Sequence, residues 1–360
     1  MRVTQSMLAN SMLRNLSSSY SRLDKYQEQL STGKKISRPS DDPVIAMKGM
    51  NYRTDLTEIE QYQRNLSEAY NWVENTDAAY DKGTSAVQRI RELVVQASND
   101  TYEGNQREAI AVEIKELANH LESIANTKVG NKFIFNGSDT TSAPVKVADI
   151  NLPISSLPAD GKEFVVTYKG REYINSGNGD LLFSYGTDTI EITDPAGTPG
   201  ATFADTAINT SDLIVSKQSA VPTDFQEVKI ELSKGVNIVV NSNPTNTFSA
   251  TFFSDLKNII SKLENNSTGS EIGKSLETID SHLTNIVSER ALIGARYNRV
   301  ELIEDRLSTQ EVIANKMLSN NEDADIERVI TDLKIQETVH RAALGVGAKV
   351  IQPSLLDFLR

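Results

Sequence analysis

The stretch IGKSLETIDSHLTNIVSERALIGARYNRVELIEDRLSTQEVIANKML (residues 272–318) decides the fold. Alternating steps of four and three residues land on Ile272, Leu276, Ile279, Leu283, Ile286, Arg290, Ile293, Tyr297, Val300, Glu304, Leu307, Glu311, Ala314 and Leu318. Eleven of these fourteen positions are apolar or small, where chance composition gives about five. A 3.5-residue repeat held this long specifies one long helix with a narrow seam, the coiled-coil pattern. At about 1.5 Å per residue the rod is roughly 70 Å long. Such a seam requires partner helices of similar length.

Proline placement shows where those partners lie. Six of the ten prolines fall between Pro144 and Pro222, none between Pro43 and Pro144, and none between Pro244 and Pro353. Proline breaks helix interiors, so two helical blocks flank a turn-rich middle. Within residues 1–32 a second heptad-like series runs Ala9, Leu13, Leu16, Tyr20, Leu23, Gln27, Leu30. Gly33 is a suitable C-terminal cap, and the connector GKKISRPSDDP is rich in turn formers. Asp41-Asp42-Pro43 reads as capping residues followed by proline in a helical first turn.

From Val44 the four-three spacing resumes through Ile45, Tyr52, Ile59, Tyr62, Leu66, Ala69, Val73, Tyr80, Val87, Ile90, Val94 and Ala97, with Lys48, Asp55, Thr76 and Gly83 as interruptions. This is the first partner for the rod. A turn near residues 99–105 leads to a shorter helix carrying Ile110, Ile114, Leu117, Leu121 and Ile124 on one face. These helices can pack as an antiparallel bundle.

After residue 133 the pattern changes to short alternating runs between Gly, Pro, Asn and Asp clusters, the signature of strands and turns. Residues 141–226 hold five basic and eleven acidic residues, and read as an inserted, mostly β domain. Residues 228–240 read as a hairpin, and a helix near residues 254–264 leads into the rod. A polar connector after Leu318 precedes a last helix with Ile326, Ile330, Leu333, His340, Leu344 and Ile351 in four-three steps, ending before Pro353.

The expected fold is α+β. A long antiparallel helical bundle or coiled coil is built from both chain ends, with a mostly β domain inserted. Three parts follow: residues 1–42 with 320–360, residues 43–140 with 227–319, and residues 141–226. The terminal segments carry +3 and −2, signs consistent with their lying together.

Other readings are weaker. A net charge of −12 argues against nucleic-acid binding, because phosphate contacts need a basic surface. With no cysteine there is no disulfide framework, thiol nucleophile or thiolate metal site. The N-terminus lacks the apolar core of a cleaved secretory signal, and no run has the length of a membrane span. Glu337 and His340 have the spacing of a di-iron ligand pair, but a second such pair and two further glutamates are needed, and His120 and His282 do not supply them. Gly273-Lys274-Ser275 resembles the end of a phosphate loop, yet Thr268 stands where glycine is required. No nucleophile, base and orienter come together in the pattern, so neither an enzyme nor a cofactor or metal site is expected. Arg290, Glu304 and Glu311 on the seam are either solvated gaps or inter-helix ion pairs that set register.

Two strings carry a family resemblance: LSTGKKISRPSDDP (residues 30–43) and IGARYNRVE (residues 293–301). With the nested helical pattern, they make both ends of the chain, roughly the first 140 and last 130 residues, resemble bacterial flagellin-family axial proteins. Within that family, MRVTQSM at the start and IQPSLLDFL at residues 351–359 resemble the hook–filament junction branch (hook-associated protein type 3) more than flagellin. The resemblance implies a structural, extracellular subunit of the flagellum. Such a subunit is exported unfolded through the flagellar type III apparatus with a cytoplasmic chaperone. It self-assembles as a tube on the preceding hook-associated junction protein and seats flagellin polymerisation. Terminal helices then line the inner layer, and residues such as Arg296 and Asn298 are candidates for neighbour contacts.

The stripes on the terminal helices make Leu13, Leu16, Tyr20, Leu23, Leu30, Ile330, Leu333, Leu344, Ile351, Leu355 and Leu356 the candidate assembly interface. Two isolated helices bury little area and are marginal in water, so the tails are expected to be mobile until neighbours cover them. The alternatives are flagellin itself, the filament subunit, and a binding module or enzyme in the inserted domain.

Overall fold

A computed structural model describes residues 5–99, 102, 104–137, 139–158, 161–169, 171–175, 181–193, 200–203, 206–208, 213–221 and 226–351. The chain divides into two compact units, Tyr62–Glu304 and Met1–Gln61 with Asp305–Arg360. Helices α1 (Gln5–Thr32) and α2 (Pro43–Ala97) are followed by α3 (Gly104–Ala125), and the chain ends with α4 (Ala250–Glu264), α5 (Gly269–Gly273), α6 (Ser275–Glu322) and α7 (Ile326–Ile351).

In the unit Tyr62–Glu304, α2 and α6 run antiparallel. Tyr70 and Tyr297 meet edge to face at 5.4 Å, Arg290 reaches Asp77 and Asp81 at 3.1 and 2.6 Å, and Arg91 reaches Asp280 at 2.5 Å. The seam resolves into two rows. Ile272, Ile279, Ile286, Ile293, Val300, Leu307 and Ala314 are all buried, while Leu276, Leu283, Arg290, Tyr297, Glu304, Glu311 and Leu318 are half-buried or exposed. One position of each heptad therefore faces the core and the other rides its flank. That is why polar residues are tolerated there: Arg290 makes the inter-helix ion pairs above, and the Tyr70 hydroxyl donates to Glu304 at 2.7 Å. The rod begins at Ser275 rather than Ile272, which belongs to the short helix before it. Thr268 and Glu271 close a capping box there, so the Gly273-Lys274-Ser275 segment is a helix junction.

Burial of Trp72, Val73, Tyr80, Val87, Ile90 and Val94 gives α2 its core face. Thr76 and Gly83 do not interrupt it. Thr76 returns its hydroxyl proton to the Trp72 carbonyl, and a methyl added at Gly83 would meet the Phe248 ring in ordinary contact at 3.8 Å. Helix α3 packs on α4, whose start is fixed by Ser249 accepting from the Phe252 amide. Burial pushes the Tyr80 phenol up to about 12; its oxygen lies 2.5 Å from Ser242 Oγ.

Short hairpins flank the sheet region: β1 (Lys128–Val129) with β2 (Lys132–Phe133), and β10 (Lys229–Ser233) with β11 (Val236–Val239). Between them lie β3 (Phe164–Tyr168), β4 (Arg171–Asn175), β5 (Leu182–Tyr185), β6 (Asp188–Thr193), β7 (Gly200–Phe203), β8 (Thr206–Ile208) and β9 (Leu213–Lys217). They form one antiparallel sheet ordered β8-β7-β6-β5-β4-β3-β9. Phe164, Val166, Tyr173, Phe183, Ile190, Leu213 and Val215 build its core. The β9 edge is capped by Leu152, whose amide donates to the Val215 carbonyl at 2.8 Å. Lys257 of α4 donates to the carbonyls of Val147 and Ile150 at 2.8 and 2.6 Å, and desolvation lowers its pKa.

In the other unit, Gly33 ends α1 with φ +68°. Asp42 caps α2, accepting from the amides of Val44 and Ile45 at 3.0 and 3.1 Å. Asp41 instead ties the connector turn, accepting from the Arg38 amide at 3.0 Å.

Candidate functional site

Helices α1 and α7 pack against each other in antiparallel fashion. Gln336 Nε2 donates to Ser19 Oγ at 3.0 Å, and Tyr20 and His340 meet edge to face at 4.2 Å. A methyl added at Gly347 would overlap the Met12 thioether. The inward positions are half-buried or buried: Met12, Leu16, Ser19, Leu23 and Tyr26 on α1, and Val329, Leu333, Gln336, His340, Ala343 and Gly347 on α7. Both rows keep a strict four-three step; the α1 row is apolar except for Ser19, while the α7 row mixes Val329 and Leu333 with Gln336, His340, Ala343 and Gly347.

Other apolar residues of the two helices stay exposed. Leu13, Tyr20 and Leu344 are 56, 57 and 45% exposed, and Leu30 and Ile330 are also exposed. Of the expected interface, only Leu16, Leu23 and Leu333 lie half-buried between the helices. The side chain of Ile351 and the whole of Leu355 and Leu356 lie outside the described residues. The α1 series expected from the sequence shares Leu16 and Leu23 with the row that makes contact, and its alternate positions move by one residue, from Leu13, Tyr20 and Gln27 to Met12, Ser19 and Tyr26. Met7, Ile335, Val339 and Val346 add to the outward apolar surface. A groove of about 460 Å³ runs along the pair, lined by Met12, Asn15, Val339, Ala342, Ala343 and Val346 among others.

Other candidate residues have settled partners. Glu337 pairs with Arg341 one turn on, and His340 is buried with an unpartnered Nδ1. Among the described residues, no group of three or more His, Cys, Asp or Glu is placed to hold a metal ion, and no helix is long and apolar enough to cross a membrane. Arg296, expected at a neighbour contact, is half-buried and donates to the Asn241 carbonyl at 2.6 Å within its own chain. Burial lowers its pKa. Asn298 lines a separate groove with Ile293, Gly294 and Tyr297.

Comparison with known proteins follows this division into two helical ends and a sheet. Residues 3–140 match the bacterial flagellin N-terminal helical region, and residues 276–359 match the bacterial flagellin C-terminal helical region. A flagellin of Clostridium tyrobutyricum is 23% identical over 383 residues, covering 97% of this chain and 99% of the relative. The flagellar hook-associated protein 3 of Escherichia coli K12 is 23% identical over 346 residues, covering 95% of each. A solved structure described as a flagellar hook-associated protein of Vibrio parahaemolyticus shares the fold, with a TM-score of 0.54, 17% identity, and coverage of 79% of this chain and all of that one. The two matched regions together span more than half of the sequence and take in the helices whose pairing is described above, so this chain belongs to the bacterial flagellin family of structural flagellar proteins.

Proposed function

We propose that this chain is the junction adaptor between hook and filament, a structural subunit that seats flagellin polymerisation. The observation that carries its assembly role is the apolar surface that the α1–α7 pair leaves open. Their mutual contact row mixes Leu16, Leu23, Val329 and Leu333 with Ser19, Gln336, His340 and Gly347, while Leu13, Ile330 and Leu344 stay exposed outside it. Exposed apolar surface of this kind marks a protein–protein contact. A tube of identical subunits covers it, each stripe meeting a neighbour. Choice of the junction over the filament rests on the ending IQPSLLDFL at residues 351–359 and on its likeness to hook-associated protein 3.

In this reading the partners are further copies of the chain, the preceding hook-associated protein and flagellin. The subunit travels through the type III apparatus with a cytoplasmic chaperone and works outside the cell. It carries no catalysis. The three-part division stands with it: tails at residues 1–42 and 320–360, a bundle at residues 43–140 and 227–319, and an outer insertion at residues 141–226. Two helices that pack only on each other bury little area and are marginal alone, so the tails fray in the dilute subunit and gain order on assembly.

The test is electron microscopy of the purified full-length protein added to isolated hooks bearing the preceding hook-associated protein, with and without flagellin. A short cap that stops growing and lets flagellin extend supports the adaptor. Long filaments of this protein alone make it a filament subunit, the reading favoured by its equally complete likeness to the C. tyrobutyricum flagellin. Failure to bind hook ends would overturn both. A binding role for the inserted domain predicts retained motility and lost ligand binding when residues 141–226 are deleted.

A further inference from the structure

One carboxylate at the root of the tails is buried and shared by segments from opposite ends of the chain. Glu322 ends α6 with its side chain 7% exposed. Its Oε2 lies 2.6 Å from Arg53 Nη2 of α2 and 3.3 Å from Lys34 Nζ, just beyond α1. Gly49 makes room for it, because a methyl there would overlap the carboxylate. The backbone repeats the connection. The Lys35 amide donates to the Glu322 carbonyl at 2.6 Å, and the Ala324 amide donates to the Gly33 carbonyl at 2.8 Å. Lys34 also pairs with Asp323 at 3.0 Å, and Asn321 Nδ2 donates to the Ile45 carbonyl at 2.9 Å.

A buried acid persists only when its charge is met. Here both cations are themselves partly solvated, at 39% for Lys34 and 62% for Arg53. The acid thus depends on the cations more than they depend on it. Without this cluster, the two connectors are independent polar linkers, and α1 and α7 meet as loosely tethered chains. With it, the roots of both helices are held together, which raises the effective concentration of each for the other. A contact row that mixes leucine with serine, glutamine and glycine then needs little intrinsic affinity.

We propose that Glu322 is the keystone of an ionic latch that locks the two connectors to each other, so that the tails behave as one joined pair. This goes beyond the junction role and holds for either position in the flagellum. The test uses full-length chains carrying Gly49→Ala or Glu322→Gln, followed by amide hydrogen exchange. The amides of Lys35 and Ala324 report one connector each, and residues 62–97 serve as the internal reference. Both variants should speed exchange at both amides at least tenfold and leave the reference unchanged. Gly49→Ala is the discriminating variant, because alanine favours the helix and, without a latch, protection would hold or rise. Four results would overturn the latch: unprotected amides in the unaltered chain, unchanged exchange in both variants, loss at one connector only, or equal loss in the reference.

Discussion

Helix α6 and the α1–α7 pair follow the same seven-residue rule and use it to different extents. In α6 the repeat places Ile286, Ile293 and Val300 at 0% exposure, so the apolar row and the contact row are one. In the terminal pair they coincide only in part. Leu16, Leu23, Val329 and Leu333 share the contact row with Ser19, Gln336, His340 and Gly347, and Leu13, Ile330 and Leu344 stay exposed outside it. Hydrophobic burial contributes about 25 cal/mol per Å² of apolar surface, and the terminal pair leaves much of that undrawn within the subunit. A heptad pattern specifies that a stripe will be covered. It does not say whether the cover comes from the same chain.

The largest expected effects separate the two rows. Ile286→Ala and Ile293→Ala should each destabilise by about 2–5 kcal/mol, the range for emptying a buried aliphatic site, measured as a lowered urea midpoint. Leu13→Ala and Leu344→Ala should stay within about 0.5 kcal/mol, as exposed substitutions do. Leu344→Asp should leave the fold intact and abolish cap formation on hooks, scored by electron microscopy.

Next comes Tyr80→Phe, which deletes the buried hydroxyl beside Ser242 and should cost about 1 kcal/mol. A smaller loss is expected for Arg290→Ala. Its partners Asp77 and Asp81 are partly solvated, so the cost is about 0.2–1 kcal/mol, and added salt should shrink it further.

Acid should sharpen the contrast at the connectors. Hydrogen bonds from Ser319 and Lys34 hold the Asp323 carboxyl below its ordinary value of 3.8. The folded form therefore binds fewer protons than the unfolded chain in that range, and its contribution is complete at neutral pH. It is lost as the pH falls below about 4. Protection of the Ala324 amide, taken relative to the intrinsic exchange rate at each pH, should fall there before that of the α2 amides of residues 62–97.

Much of this organisation is legible in the sequence because it is local. Gly33 marks the end of α1 by its positive φ, and Asp42 followed by Pro43 marks the start of α2. The 3.5-residue period marks α6. Periodicity also identifies the terminal stripes and places Leu16 and Leu23 inward, but assigning apolar to inward picks Leu13 over Met12 and Tyr20 over Ser19. Only a partner in three dimensions shows that Ser19 meets Gln336 and Gly347 meets Met12. Trp72 is buried yet falls outside the four-three series of α2, since α2 has core neighbours on more than one side. Glu322 reads as one acid in a polar run, and its burial depends on Lys34 and Arg53, nearly three hundred residues away. Arg296, in a string that resembles the family, is occupied by the Asn241 carbonyl, which no spacing rule relates to it.

The measurement that tests the central claim most directly uses the absence of cysteine from this chain. Single cysteines at Leu13, Ile330, Leu344 and Ile286 would be reacted with a maleimide, first in the free subunit and then after addition to hooks bearing the preceding hook-associated protein. Positions 13, 330 and 344 should label quickly in the free subunit and slowly once assembled, while position 286 labels slowly throughout. Unchanged labelling of the three outward positions on assembly would contradict the reading of the open stripe as the surface that neighbouring subunits cover.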